Sequence, residues 1–192
     1  MDLDTFISSE FNGHADVLAV TQNEIAAPFK QLVGHAVNAV RGGGKILFFG
    51  NGGSAADCQH LATELTIRYL RDRAPIAAIA LTTDTSALTA GGNDLGFDEI
   101  FARQIEALAR PGDLVIGIST SGNSENVIRG LKQAKEMGAV AAAFGGKGGG
   151  PVAEFADPCL IIPSNDTPRI QEMHILVGHM FCDALEQELG LV

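Results

Sequence analysis

The sequence predicts an α/β fold: a mostly parallel sheet with helices on both faces. Three observations lead there. Five short apolar runs alternate with helix-length amphipathic segments along the chain, and that alternation calls for right-handed crossovers between parallel strands. Two of the runs end in polar, glycine-rich loops, Gly50-Asn51-Gly52-Gly53-Ser54 and Ser119-Thr120-Ser121-Gly122-Asn123-Ser124. The 192 residues, 46% of them apolar, suffice for one substantial core and leave little room for a second.

Residues 2–40 repeat apolar positions at helical spacing with few breakers besides Pro28, predicting two helices that glycines 42–44 end. These helices either extend the sheet domain or join an oligomer contact. Strands follow at 45–49, 76–81, 113–118, 139–144 and 159–162, with single helices at about 54–69, 124–137 and 168–189 and more than one helix over 85–109. The run 145–150 is rich in glycine but lacks GxxxxGK with a following Ser or Thr, so it reads as a flexible turn and not a nucleotide loop. The first loop lacks GxGxxG and a suitably placed acidic residue, which argues against a nicotinamide site.

A formal net charge of -10 opposes a general grip on a nucleic-acid backbone. Cys58, Cys159 and Cys182 are odd in number and outside any CxxC spacing, as expected of reduced thiols in the cytosol. The amino end shows no basic leader with an apolar run, and no segment approaches the ~20 apolar residues that cross a bilayer. The expectation is a soluble cytoplasmic protein without membrane or direct nucleic-acid partners.

Sites in such folds gather beyond the carboxyl ends of the strands, where both polar loops fall. Ser119, Thr120, Ser121 and Ser124 offer hydroxyl donors to the three oxygens of a phosphate, with Ser124 also placed to cap the next helix. An ordinary Ser/Gly turn with one N-cap is the local alternative. His60 and Glu64 lie four residues apart, on one helical face that Arg68 continues. They can ligate a metal, Glu64 can act as a base, or the row can be a solvent-facing ion-pair series. In the last helix, Gln171 and His179 are eight residues apart and address one broad face, although a histidine buried against another subunit is an equal alternative. Asp84 and Asp94 can orient a sugar hydroxyl or a histidine, and helix capping explains Asp84 equally well. Arg68, Arg71 and Arg73 make a small basic stretch suited to an anionic ligand.

Taken together, the two loops, His60-xxx-Glu64, Gly92-Asn93-Asp94-Leu95-Gly96-Phe97 and Arg169-Ile170-Gln171-Glu172-Met173-His174-xxxx-His179 resemble the sugar isomerase (SIS) domain family, and within it the bacterial sedoheptulose 7-phosphate isomerases. The resemblance spans nearly the whole chain. It implies a three-layer αβα sandwich with a flavodoxin-like sheet: one SIS domain over residues 1–192, whose segment 1–41 is a helical extension used in assembly. It also implies a homotetramer with pockets between subunits, acting on a phosphorylated seven-carbon sugar by aldose–ketose isomerisation on the route to ADP-heptose and lipopolysaccharide. Substrate-binding positions carried over are Asn51, Gly52, Gly53, Ser54, Glu64, Arg68, Asn93, Asp94, Ser119, Thr120, Ser121, Ser124 and Gln171. Glu64 would be the proton-abstracting base and His179 the complementary acid/base, and one zinc ion per subunit would be held by His60, Glu64, Gln171 and His179. Some members carry Asp just before Arg-Ile-Gln where this chain has Pro168, which leaves Asp166 or Thr167 to orient His179. Within the same family the competing expectation is a noncatalytic adaptor that binds the bacterial replication initiator. Retention of Glu64 and His179 favours the enzyme.

Overall fold

The computed structural model describes the whole chain, Met1–Val192. Helices α1 (Leu3–Glu24) and α2 (Ala26–Arg41) precede an alternating series: β1 (Ile46–Gly50), α3 (Gly53–Thr66), β2 (Ala78–Ala80), α4 (Thr85–Asp94), α5 (Ile100–Leu108), β3 (Leu114–Ser119) and α6 (Glu125–Glu136). It finishes with β4 (Val140–Gly145), α7 (Val152–Phe155), β5 (Cys159–Ile161) and α8 (Thr167–Glu188). All neighbouring strands pair in parallel, in the order β2-β1-β3-β4-β5, which is the flavodoxin-like doubly wound order. Strand residues alternate between two cores: Ile46, Phe48, Ile116 and Phe144 pack toward α2, α3 and α8, whereas Leu47, Phe49, Val115 and Ala143 pack toward α5 and α6. Both faces are covered, so the strands are almost continuously apolar. No helix is long and apolar enough to cross a membrane.

The order reverses between β1 and β3, and there the loops after the two strands leave the sheet side by side, Gly50 paired with Ile118. Ser119 is in turn paired with Gly145, so the glycine-rich turn after β4 flanks the second loop. Two sequence expectations need correction, and a third is refined. The first helix after β1 ends at Thr66, not Tyr69, so Arg68 does not continue the His60–Glu64 face. The helices expected over 85–109 are α4 and α5, divided after Asp94 where Gly96 takes φ +96° and starts a 3-10 turn at 97–99. The 145–150 run is a turn, but a packed one: Gly145, Gly146 and Gly149 are buried and Val152 N–H donates to Gly122 O at 3.0 Å.

Candidate active site

The hydroxyl loop sits at the start of α6. Ser124 is the N-cap residue, with extended backbone, yet its side chain makes no capping bond. Its hydroxyl instead lies 3.3 Å from Ser119 Oγ, and Ser121 Oγ lies 3.4 Å from Ser119 Oγ on the other side. The expected cap is therefore absent, and three hydroxyls converge where the first amides of α6 have no helical acceptor and the helix dipole is positive. That is the composition of an anion site. Gly122, at φ +67°, makes the tight bend; a Cβ there would overlap the carbonyl of Gly149. Asn51 and Asn126 exchange amide hydrogen bonds of 2.8 and 2.9 Å, fastening the first loop to α6.

The second half of the site is made where α3 crosses α8. Gly178 lets the helices approach: a Cβ at Gly178 would lie 2.6 Å from Leu61 Cδ2. The residues next in sequence, His60 and His179, consequently meet with their Nε2 atoms 2.7 Å apart, a separation that requires one shared proton. Glu64 Oε1 is 3.4 Å from His60 Nε2, and its side chain is only 18% exposed. The Tyr69 ring stacks on His179 with centroids 5.6 Å apart. Asp57, half-buried one turn before His60, has its carboxyl pushed above the usual range by burial, with the His60 charge acting in the opposite direction.

An SIS-domain family model matches residues 11–146. At the sequence level, the chain is 58% identical to the phosphoheptose isomerase of Paramagnetospirillum magneticum over 97% of both chains. It is 53% identical to that of Aquifex aeolicus, over 92% of this chain and 93% of the relative. The chain belongs to the SIS-domain family of phosphoheptose isomerases. Solved members superpose closely. The Francisella tularensis phosphoheptose isomerase gives a TM-score of 0.93 at 34% identity, covering 97% of this chain and 100% of that one. The Neisseria gonorrhoeae enzyme gives 0.89 at 42% identity, with 95% and 99% covered.

Against this family frame, the expected residues divide into groups. Asn51, Gly52, Gly53 and Ser54 follow β1 at the switch point, and Gln171 lies against Gly53, where any Cβ would collide with its amide. Gln171 thus stands beside the first loop, about 12 Å along α8 from His179 by helical rise, and within one chain it does not join His60, Glu64 and His179. Asn93 and Asp94 are exposed at the end of α4 and bonded to each other at 2.7 Å. Arg68 is exposed beyond α3, whereas Arg73 is buried: it pairs with Glu186 at 2.6 Å and donates to the carbonyls of Glu64 and Leu65. The expected anion-binding use of Arg73 is replaced by a structural one, closing the C-terminus of α3. Asp84 caps α4 through Ala87 N–H at 3.0 Å. Asp166 and Thr167 begin α8, about 18 Å of helix from His179, so neither orients that ring within the chain. Missed from the sequence were Asn126, in the first turn of α6, and Tyr69, the chain's one tyrosine.

No group of three or more His, Cys, Asp or Glu residues stands in preformed metal-ligand geometry. The His60–Glu64–His179 trio is held at hydrogen-bond spacing, but its donor types, two imidazoles and a carboxylate, are a set that zinc accepts while keeping a position open.

Proposed function

We infer that this protein is a phosphoheptose isomerase that interconverts D-sedoheptulose 7-phosphate and D-glycero-D-manno-heptose 7-phosphate, supplying the ADP-heptose route. The observation that carries the reading is the meeting of Glu64, His60 and His179 at the α3–α8 crossing in a chain that also carries the hydroxyl loop. Aldose–ketose exchange moves one carbon-bound proton between C1 and C2 and one proton between their oxygens. Glu64 takes the proton from C1 of the ketose, leaving a cis-enediol, and returns it to C2. His179 moves the proton between O1 and O2, since an imidazole exchanges protons near neutral pH. In the 2.7 Å contact between His60 and His179, one Nε2 carries the proton and the other accepts it. Ser119, Ser121, Ser124 and the α6 amides hold the phosphate.

We extend the proposal to zinc: His60, Glu64 and His179 would hold one ion per subunit, which when bound would polarise the substrate oxygens, and the expected fourth donor Gln171, about 12 Å away along α8 in the same chain, would reach the ion only across a subunit contact. The same reading takes a homotetramer in which residues 1–41 help assembly and pockets are completed between subunits. Two observations support it. Glu64 lies eleven residues down α3 from Gly53, about 16 Å along the axis, so within one chain the carboxylate stands away from the first loop, beside which the 119–124 loop leaves the sheet. Phe6, Ile7 and Phe11 of α1 and Leu176 and Met180 of α8 are exposed apolar side chains.

The test is conversion of sedoheptulose 7-phosphate by metal-stripped protein, with zinc added back, beside Glu64→Gln and His179→Ala. Each variant is expected to lose about 10²–10⁴-fold in kcat while still binding the sugar phosphate. A folded wild-type assembly that binds the sugar phosphate yet gives no turnover in any metal state would refute the reading. Full turnover without zinc would make the ion incidental.

A further inference from the structure

The glycine-rich turn after β4 takes no part in the chemistry above, yet it is interlocked with the hydroxyl loop. Gly122 and Gly149 touch with no room for a Cβ on Gly122, and Val152 N–H donates to Gly122 O at 3.0 Å. A Cβ on Gly146 would lie 2.8 Å from Thr120 O, so the turn supports the loop at two points. The turn in turn hangs from α8. His174 is 1% exposed, packs on Phe144 and places Nε2 3.0 Å from Gly145 O, while its Nδ1 has no partner. A ring nitrogen facing a carbonyl must be the protonated one. Burial pushes the His174 pKa down to about 4, so the ring is neutral at neutral pH and carries that single N–H.

We propose that His174 is a positioning residue for phosphate recognition: its N–H anchors the 145–150 turn, and that turn holds the 119–124 loop in its anion-binding shape. The inference deepens the isomerase reading and rests on it. Gly145 O also accepts the N–H of Ile162 at 2.9 Å, so removing the imidazole orphans no buried carbonyl and the variants are expected to fold. His174 touches no reacting atom, so its loss acts on phosphate affinity and leaves the acid/base pair intact.

Two amide replacements separate the donor from mere polarity. Gln places an N–H close to where Nε2 stands, and Asn places it at the Nδ1 position. His174→Asn is expected to raise KM for the sugar phosphate and the competitive Ki of inorganic phosphate together, by about tenfold, the loss of one hydrogen bond, with kcat little changed. His174→Gln is expected to restore both constants. Equal constants for Asn and wild type, or a fall in kcat with KM unchanged, would overturn the proposal. A second measurement uses only the wild-type protein: inorganic phosphate should slow amide hydrogen exchange in peptides covering 145–152, because coupling between the loop and the turn is reciprocal. Protection confined to 119–128 would also overturn it. A wild type without turnover would sink the isomerase reading, and the exchange experiment would still report on the turn.

Discussion

His174 and His179 stand five residues apart on α8 and have opposite surroundings. His179 opens onto the α3 crossing and shares a proton with His60. His174 is enclosed by the main core, its ring kept neutral by desolvation, with the bond to Gly145 acting weakly in the other direction. Its folded pKa of about 4 lies below the unfolded value of 6.5, so between these values the unfolded chain binds more protons and stability falls as the solution is acidified. The contribution is complete above about pH 6.5 and lost as pH falls through about 4, up to about 3 kcal/mol. Urea midpoints at pH 7 and pH 4.5 should therefore drop more for wild type than for His174→Gln, the variant removing this proton uptake and leaving the carboxylate contributions common to both. Equal drops would show that the ring is not desolvated.

Among the elements, the α3–α8 crossing governs the chemistry. Gly178 permits the contact with Leu61, and the buried Arg73–Glu186 pair closes the end of α3 by binding the carbonyls of Glu64 and Leu65. Glu186 also accepts the N–H of Tyr69, the ring that stacks on His179. Helix spacing, pair and stack thus act on the same three groups. Gly178→Ala inserts a methyl 2.6 Å from Leu61 Cδ2. Overpacking of this kind costs about 1–3 kcal/mol and parts His60 from His179. The expected outcome is a melting temperature lowered by several degrees and a kcat reduced more than tenfold, with the Ki of inorganic phosphate unchanged because the hydroxyl loop lies elsewhere. A variant with normal kcat would mean that the crossing distance does not matter.

For the molecule as a whole, α1 and α8 carry a concentration of exposed apolar groups, among them Phe6, Ile7, Phe11, Leu176 and Met180. A groove of about 420 Å³ between α1, α2 and α8 is lined by Leu18, Ile25, Phe29, Leu176, Val177 and Met180. Exposed apolar patches are where contact faces form, and in the proposed tetramer another copy covers this groove. Phe11→Glu with Leu176→Glu should lower the mass measured by light scattering and abolish turnover on dilution. A wild type that is monomeric at micromolar concentration and fully active would exclude the intersubunit pocket.

The sequence by itself determined the sheet, its parallel crossovers and the two loops at the strand ends, because strand and helix periodicities and turn glycines are local signals. Glu64 and His179 were likewise legible as candidate groups, through residue type and four-residue spacing together with the family resemblance. Only the tertiary structure decided which partners they meet. His60 and His179 are 119 positions apart, and nothing in local spacing announces a contact that depends on Gly178 fitting against Leu61. The same holds for Arg73, which reads as an exposed basic residue until Glu186 from α8 buries it, and for His174, a polar residue on an apolar helix face whose use appears only once Gly145 is beside it. Ser124 reverses its expected part for a similar reason: a capping hydroxyl is a local prediction, and the hydroxyl of Ser119 supplied by the neighbouring strand end displaces it. Long-range packing fixes distances between groups that the chain order leaves far apart, and the chemistry of this site depends on those distances.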